Sequence, residues 1–418
     1  MDNTDTTPIK AQSNHDLVVK DNLTEKGCKK TKLGWIPEDW EFDTIENSLI
    51  IENNLRKPIS EEVRKSMQGN YPYYGPTKIQ DYINEFQYEG EYALIAEDGD
   101  HFLKYKDFPM TQLVYGKFNV NNHAHAIKGT AKCTTKWFYW FYNRRSIFSH
   151  LTRQGAGRYK LNKASLSKMK IAYPRLKEQN MIIEILETWD FAIQNLDDLI
   201  TKKELQKKGL MQQLLTGKTR LKRFEDDWRL IKFRNIYKPK KVKAGDKKYL
   251  VLSVTKNGIV SQADYFNKEI ASADTSPYLV VEKGDLAMSG LNFWMGAVDV
   301  LEDYEIGIIS PAYKVFQIKN PEIDHLFMRY FVRSECFLKA LVGASVQGAS
   351  VVRRNLDKES LEEWDFKLPA MKEQNAIAKT LQCADKELTT LIQKLNFLKE
   401  QKKGLMQQLL TGKKRLKF

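Results

Sequence analysis

Gln206-Lys207-Lys208-Gly209-Leu210-Met211-Gln212-Gln213-Leu214-Leu215-Thr216-Gly217-Lys218 is written twice in this chain: residues 401–413 repeat it letter for letter, 195 positions further on. The match extends upstream without a gap, setting Pro174 on Pro369 and Lys177-Glu178-Gln179-Asn180 on Lys372-Glu373-Gln374-Asn375. Solenoid repeats recur at about 20 to 50 residues and stack on their neighbours. A period of 195 is instead that of a duplicated unit with something large between its copies.

The apolar spacing says what the copies are. In the first, Ile182, Leu186, Trp189, Ile193, Leu196 and Ile200 step by 4, 3, 4, 3 and 4; in the second, Ile377, Leu381, Ala384, Leu388, Leu391, Leu395 and Leu398 keep the same register. Such steps draw one stripe along a helix, the seam of a coiled coil. One stripe alone could equally pack on its own globular core, but two in identical register favour packing on each other. Lys, Glu, Gln and Asp fill the positions between, as on an exposed helix surface. Pro174 and Pro369 stand before the helices, and Gly217 and Gly412 follow them, the residues expected at a helix start and stop.

With 418 residues, 42% hydrophobic and 11% aromatic, the chain can form two or three domains with their own cores. No apolar run approaches the roughly 18 residues of a membrane span. Met1-Asp2-Asn3-Thr4-Asp5 lacks the basic and apolar regions of a signal peptide. Cys28, Cys133, Cys336 and Cys383 are scattered, which fits neither a zinc site nor a disulfide framework and points to the reducing cytoplasm. A formal charge of +14 raises the expectation of a polyanionic partner, most often nucleic acid.

The landmarks divide the chain into five. Residues 1–30 are polar and aperiodic and are expected to be a disordered or loosely packed tail. Residues 31–173 open at Gly34-Trp35-Ile36-Pro37-Glu38-Asp39-Trp40 and read as a first globular domain, with a buried strand at Tyr92-Ala93-Leu94-Ile95-Ala96 and a helix beginning at Trp137-Phe138-Tyr139-Trp140-Phe141. Residues 174–222 are the first conserved helical segment. Residues 223–368 form a second domain, opening at Phe224-Glu225-Asp226-Asp227-Trp228, with short strands at Leu286-Ala287-Met288 and from Ile308 to Tyr313, and an aromatic helix at Phe327-Met328-Arg329-Tyr330-Phe331. Residues 369–418 are the second helical segment. Near-identical helices beside divergent domains suggest one fixed job done twice, and one kind of job done on two targets. Antiparallel helices would bring Phe418 near the start of the first domain and give a pseudo-dimer within one chain.

Catalytic motifs do not survive inspection. Thr216-Gly217-Lys218-Thr219 resembles the end of a P-loop, but Gln212 stands where the first glycine is needed, and the stretch ends a helix instead of beginning one. His123 and His125 have no third and fourth metal ligand nearby, so a structural pair is the better reading and no metal site is expected. Gly155-Ala156-Gly157 lacks the later glycine of a dinucleotide fingerprint. There is no Pro-Pro pair, hence no Asn-Pro-Pro-Tyr-like tetrapeptide of amino-methyltransferases, and Asp246-Lys247-Lys248 is too common to mark a nuclease. No catalytic residue is assigned.

Recognition chemistry remains. Arg and Lys fork onto guanine, Asn and Gln onto adenine, and aromatics meet a thymine methyl or an unstacked base. Candidates in the first domain are Gln68, Asn70, Tyr71, Tyr73 and Tyr74, with Arg153, Gln154 and Arg158 at a glycine-rich loop. In the second they are Lys240, Lys241, Lys243, Lys256, Asn257, Asn292, Trp294, Gln347, Arg353 and Arg354. Any one could be a solvated or core residue; together in loops they favour binding.

Two divergent domains alternating with two conserved helices resemble the specificity (S) subunits of type I restriction–modification systems. The resemblance covers nearly everything after residue 30, through the duplicated helices, the Gly34-to-Trp40 opening, the Tyr71-to-Gly75 loop and the Ser310-to-Tyr313 strand. It implies an α+β chain: two target-recognition domains of α/β type joined by two long antiparallel helices in a coiled coil, with pseudo-two-fold symmetry. Each domain would read one half of an asymmetric bipartite site in double-stranded DNA, while the helices set the spacing and dock two methyltransferase (M) subunits. Those partners would carry S-adenosylmethionine, and restriction (R) subunits would add ATP and Mg chemistry; this chain would bind no cofactor and no membrane. A coiled-coil scaffold without DNA recognition, or a stand-alone DNA-modifying enzyme, are the rival readings.

Overall fold

The computed structural model describes residues 19–20, 27–153, 157–266, 271–347 and 354–416. The chain divides into two compact units, Met1–Asn195 with Leu395–Phe418, and Leu196–Lys394. Two 39-residue helices run over Leu176–Leu214 and Met371–Leu409, each about 58 Å long. The chain passes between units within each helix, so each unit contains a part of both.

The first unit is built on a six-stranded sheet in the order Ile50–Ile51, Ala124–Lys128, Tyr88–Ala96, Thr111–Val120, Gln68–Tyr74, Ile79–Ile83. Neighbours are antiparallel except Gln68–Tyr74 beside Thr111–Val120, which run parallel. Period-two alternation decides the faces. Ala93 and Ile95 point into a core with Trp137, Phe138 and Phe141 of the helix Thr135–Asn143. Tyr88, Tyr92 and Leu94 point to the other face, where Tyr88 stacks on its cross-strand partner Phe118 with ring centres 5.2 Å apart.

The second unit has a smaller antiparallel sheet, Tyr237–Lys240, Tyr313–Ile318, Leu286–Ser289, Val298–Val300. Leu286 and Met288 pack toward Phe327 and Phe331 of the helix His325–Phe331, and Ala287 packs on the opposite face. Two-stranded ribbons, Leu252–Thr255 with Gly258–Ser261 and Leu279–Glu282 with Ile306–Ile309, complete this face. The strand expected from Ile308 to Tyr313 is two strands, because a turn from Ser310 to Tyr313 separates Ile306–Ile309 from Tyr313–Ile318.

Unlike as the sheets are, both units grip the long helices in the same way. In the first, the Gln179 carboxamide accepts from the Thr134 amide (3.0 Å) and donates to the Lys132 and Pro174 carbonyls. In the second, Gln374 accepts from the Asp324 amide (2.9 Å) and donates to the Glu322 and Pro369 carbonyls. Thr134 and Asp324 are the N-caps of the two aromatic helices, so one glutamine fixes each long helix to the cap of a short one. The neighbouring glutamates are also matched. Arg415 makes a bidentate pair with Glu178, at 2.8 Å for each bond, and Arg220 with Glu373, at 2.6 and 2.7 Å. Lys402 pairs with Asp190 and Lys207 with Asp385. In each case a residue of one copy pairs with a residue of the other copy, and the counterparts of the two pair likewise. Gly217 (φ 68°) and Gly412 (φ 70°) end the helices in the left-handed region. A Cβ on Gly412 would lie 2.4 Å from the Pro37 ring, so that site needs glycine twice over.

The expected seam is shared with the domain cores at its ends. Ile182 and Leu186 lie in the first unit's core with Trp137, Leu409 and Leu410; Ile377 and Leu381 lie in the second unit's core with Phe327, Leu214 and Leu215. Leu196, Ile200, Leu388 and Leu395 are buried, whereas Trp189, Ile193, Ala384, Leu391 and Leu398 are half-buried. Each stripe therefore begins in a domain core that it shares with the end of the other long helix. Of the tail expected over residues 1–30, residues 1–18 and 21–26 lie outside the described residues; of the rest, Val19–Lys20 pairs with Arg415–Leu416, and Cys28–Thr31 pairs with Gly34–Pro37.

Candidate nucleic-acid interface

In the first unit, the strands Gln68–Tyr74 and Ile79–Ile83 form a hairpin whose pairing slips at two places, between Gln68 and Tyr71 and between Tyr73 and Tyr74. Such irregularities re-aim side chains. Tyr71 is half-buried against Phe86 (5.0 Å), whose ring also carries the Lys117 ammonium at 4.6 Å. Tyr74 packs edge-on to Phe118 and is partly buried. Asn70 and Gln68 are exposed, although the Gln68 amide donates to the Arg64 carbonyl and to Asp81. Tyr73 is corrected: it is 1% exposed, its hydroxyl accepts from the Ile59 amide and donates to the Lys57 carbonyl, and burial raises its phenol pKa. It is a core residue.

Thr152 and Lys160 pair to close the glycine-rich loop, and Leu161 is tied to the strand end at Glu97. Arg153 lies over the Tyr159 ring at 4.9 Å and donates through Nε to the Gly157 carbonyl. Arg158 is exposed; Gln154 lies outside the described residues. Nearby, Glu97 takes Arg56 at 2.6 Å and Lys160 at 3.4 Å. His125 is fully buried, its Nδ1 accepting from Asn53 and its Nε2 donating to the Leu161 carbonyl. Burial holds its pKa below the ordinary imidazole value. His123 instead meets Asp98 at 2.5 Å, so the two histidines serve different partners.

In the second unit, Lys241, Lys243, Lys256, Asn257, Asn292 and Gln347 are exposed. The Lys256–Asn257 turn is held from beneath. Asp299 accepts from the Ile259 amide (3.1 Å) and from Arg333 (2.5 Å), and Arg333 reaches the Asn257 carbonyl. Burial raises the Asp299 pKa. Lys240 is corrected: it is buried, with its ammonium 2.6 Å from Glu282 and 2.5 Å from Asp285, an internal ion cluster and not a phosphate contact. Trp294 and Arg354 are half-buried and stacked, the guanidinium carbon 4.5 Å above the ring centre. Arg353 lies outside the described residues.

Exposed aromatics that sequence reasoning passed over are Tyr82 and Tyr115, about half exposed on the first sheet. The signal was available in period two: Tyr115 and Lys117 share one face of a strand whose Val114 and Phe118 are buried. Among the described residues no group of three or more His, Cys, Asp or Glu is arranged to hold a metal ion. Nor is any helix long and apolar enough to cross a membrane.

Comparison with known proteins agrees with this arrangement. Residues 37–206 match the family described as type I restriction modification DNA specificity domain. The type I restriction enzyme MjaVIII specificity subunit of Methanocaldococcus jannaschii is 25% identical over 418 residues, 91% of this chain and 94% of that protein. The specificity subunit S.HindORF215P of Haemophilus influenzae is 37% identical over 171 residues; there the chain spans only 41% of the relative's length. Among solved structures, the S subunit of a type I system from M. genitalium aligns with a TM-score of 0.54 at 14% identity, covering 88% of this chain and 96% of that one. A chain from a structure of type I assembly and conformational transition aligns at 0.51 with 11% identity, covering 90% and 99%. At such identities the structural likeness speaks for the fold.

Proposed function

We propose that this chain is a specificity subunit of a type I restriction–modification system and that its two units read the two halves of one asymmetric, bipartite DNA site. The carrying observation is identical mounting beneath unlike surfaces. Gln179 and Gln374, and the reciprocal Arg–Glu pairs, attach each sheet to the long helices in one way, while the sheets and their exposed loops differ in strand number, length and residue content. A constant mount with variable loops is the economy of a reader whose target changes but whose partners do not.

Base edges would be met by Asn70, Tyr71, Arg153, Asn257, Asn292, Gln347 and Arg354, and phosphates by Arg158, Lys241, Lys243 and Lys256. Exposed lysines make the affinity salt-dependent, because each phosphate neutralised releases counterions. The long helices would fix the spacer between half-sites and offer the docking surface for two methyltransferase subunits. The chain is the non-catalytic member of the complex; S-adenosylmethionine, ATP and Mg belong to its partners, and the complex works in the cytoplasm.

The test is to express the full chain with its cognate methyltransferase in a host lacking adenine methylation and to map modified adenines across the genome. One asymmetric motif in two blocks with a constant spacer is expected. A palindrome, a single block, or methylation without a motif would overturn the reading.

A further inference from the structure

The two hairpins that follow the aromatic helices carry a shared device. In the first unit Arg153, on the entering arm of the loop closed by Thr152 and Lys160, lies over Tyr159 of the returning arm. In the second, Arg354 on the returning strand of the hairpin Ser345–Gln347/Arg354–Leu356 lies over Trp294, which comes from a different loop. Gln154-Gly155-Ala156 recurs as Gln347-Gly348-Ala349, two residues out of register with the 195 offset, so the hairpins correspond in the duplication although the arginines stand on opposite arms. Two domains that share little else have each set a guanidinium on an aromatic face, by different residues.

Charge pairing separates these two from several other arginines of the molecule. Arg56, Arg64, Arg220, Arg329, Arg333 and Arg415 each face a carboxylate. Among the described residues Arg153 and Arg354 form no ion pair. Arg354 is anchored by one bond to the Ser345 hydroxyl (3.0 Å), while its Nε and the Trp294 indole nitrogen are buried donors without an acceptor. Arg153 uses its Nε on the Gly157 carbonyl, which leaves the terminal nitrogens as the outward fork. Each guanidinium is therefore held against a ring by a neutral hydrogen bond and faces no carboxylate among the described residues.

A phosphate asks little of its cation beyond charge, and flexible surface lysines supply that. Restraining an arginine on a ring gives up side-chain freedom, which is recovered only where the angle of the fork counts. The planar acceptor that rewards such a fork in the major groove is the O6/N7 edge of guanine. We infer that Arg153 and Arg354 are specificity-determining residues, each held by its aromatic partner to read one guanine: Arg153 in the half-site of the first unit, Arg354 in that of the second. This rests on the DNA-reading function proposed above.

The experiment compares methylation maps from cells expressing the full chain, with its cognate methyltransferase, as wild type, Arg153→Gln, Arg354→Gln and Trp294→Phe. Arg153→Gln should relax a single G·C position by about ten-fold or more in one half-site and leave the other intact. Arg354→Gln should do the same in the other half-site, and Trp294→Phe should give a smaller relaxation at the position Arg354 reads. The untouched half-site reports that the variant still folds and assembles. Uniformly weaker methylation with an unchanged motif would make these phosphate contacts and overturn the inference, as would an unchanged map, relaxation in both halves, or loss of all methylation in the conservative Trp294→Phe variant. A wild type without a two-block motif would instead sink the underlying function.

Discussion

The first unit closes its mount with two distant stretches of chain, where the second uses one. In the second, the segment after Gly217 runs on to Trp228: Arg220 meets Glu373 and the Asp226 carbonyl, and the Trp228 indole donates to Glu373 at 3.1 Å. In the first, the same geometry is assembled from residues 412–416 and 37–40. Arg415 bridges Glu178 and Asp39, holding the Asp39 carboxyl below its ordinary pKa, while the buried Trp40 indole nitrogen has no acceptor. The duplicated parts thus share the arginine–glutamate pair, whether one stretch of chain or two supplies it, and differ at the indole. The sheets differ: one has six strands with an aromatic face, the other four strands braced by the internal pairs of Lys240 and Arg333.

The harshest way to break this comparison is to exchange residues 31–173 for the first domain of another family member. One half-site should be replaced outright and the other kept, as read by mapping methylated adenines; changes in both halves would mean the units are not independent readers. A finer probe removes the mount's arginines. Arg415→Ala strands the buried Glu178 and should cost about 3–5 kcal/mol, measured by urea unfolding with hydrogen exchange to locate the loss. Arg220→Ala should cost less, because Glu373 keeps its bond from Trp228; equal losses would mean the indole contributes nothing.

The smallest effect expected is a pH dependence confined to the first unit. His125 is buried neutral, its pKa depressed by burial, with Glu97, Arg56 and Lys160 as its charged neighbours. The unfolded imidazole titrates near about 6.5, so the stability at stake is complete above that value and is lost as pH falls from there toward the folded value. Between about pH 7.5 and 5.5, the opening energy of the strand Ala124–Lys128, read from amide exchange corrected for its intrinsic pH dependence, should fall by roughly 1 kcal/mol, and His125→Gln should flatten the trend. A matching change in the sheet around Leu286–Ser289 would contradict it.

Both long helices, their punctuation and the duplication could be read from the sequence because a literal repeat and a 3.5-residue stripe need no tertiary knowledge. What the stripe touches could not be read. Ile182 and Leu196 look alike in spacing, yet one lies in a domain core with Trp137 and Leu409 and the other is buried outside that cluster. The role of Glu178-Gln179 was hidden for the same reason: Glu178 answers to Arg415, 237 residues away. Tyr73 and Lys240 misled because residue type suggests a surface, whereas a hydroxyl with two backbone partners and an ammonium with two carboxylates are satisfied inside.

The split of each long helix between units has a bearing on how the molecule is made. The core of the first unit includes Leu409, Leu410 and Leu416, while that of the second is complete within Leu196–Lys394. Domains commonly fold in the order the ribosome delivers them. Here the part translated first must wait, with Trp137 and Ile182 uncovered, until nearly the whole polypeptide has emerged. The part translated later can settle before it. A nascent chain stalled shortly after Lys394 should carry a protease-resistant second unit and a still-digestible first one.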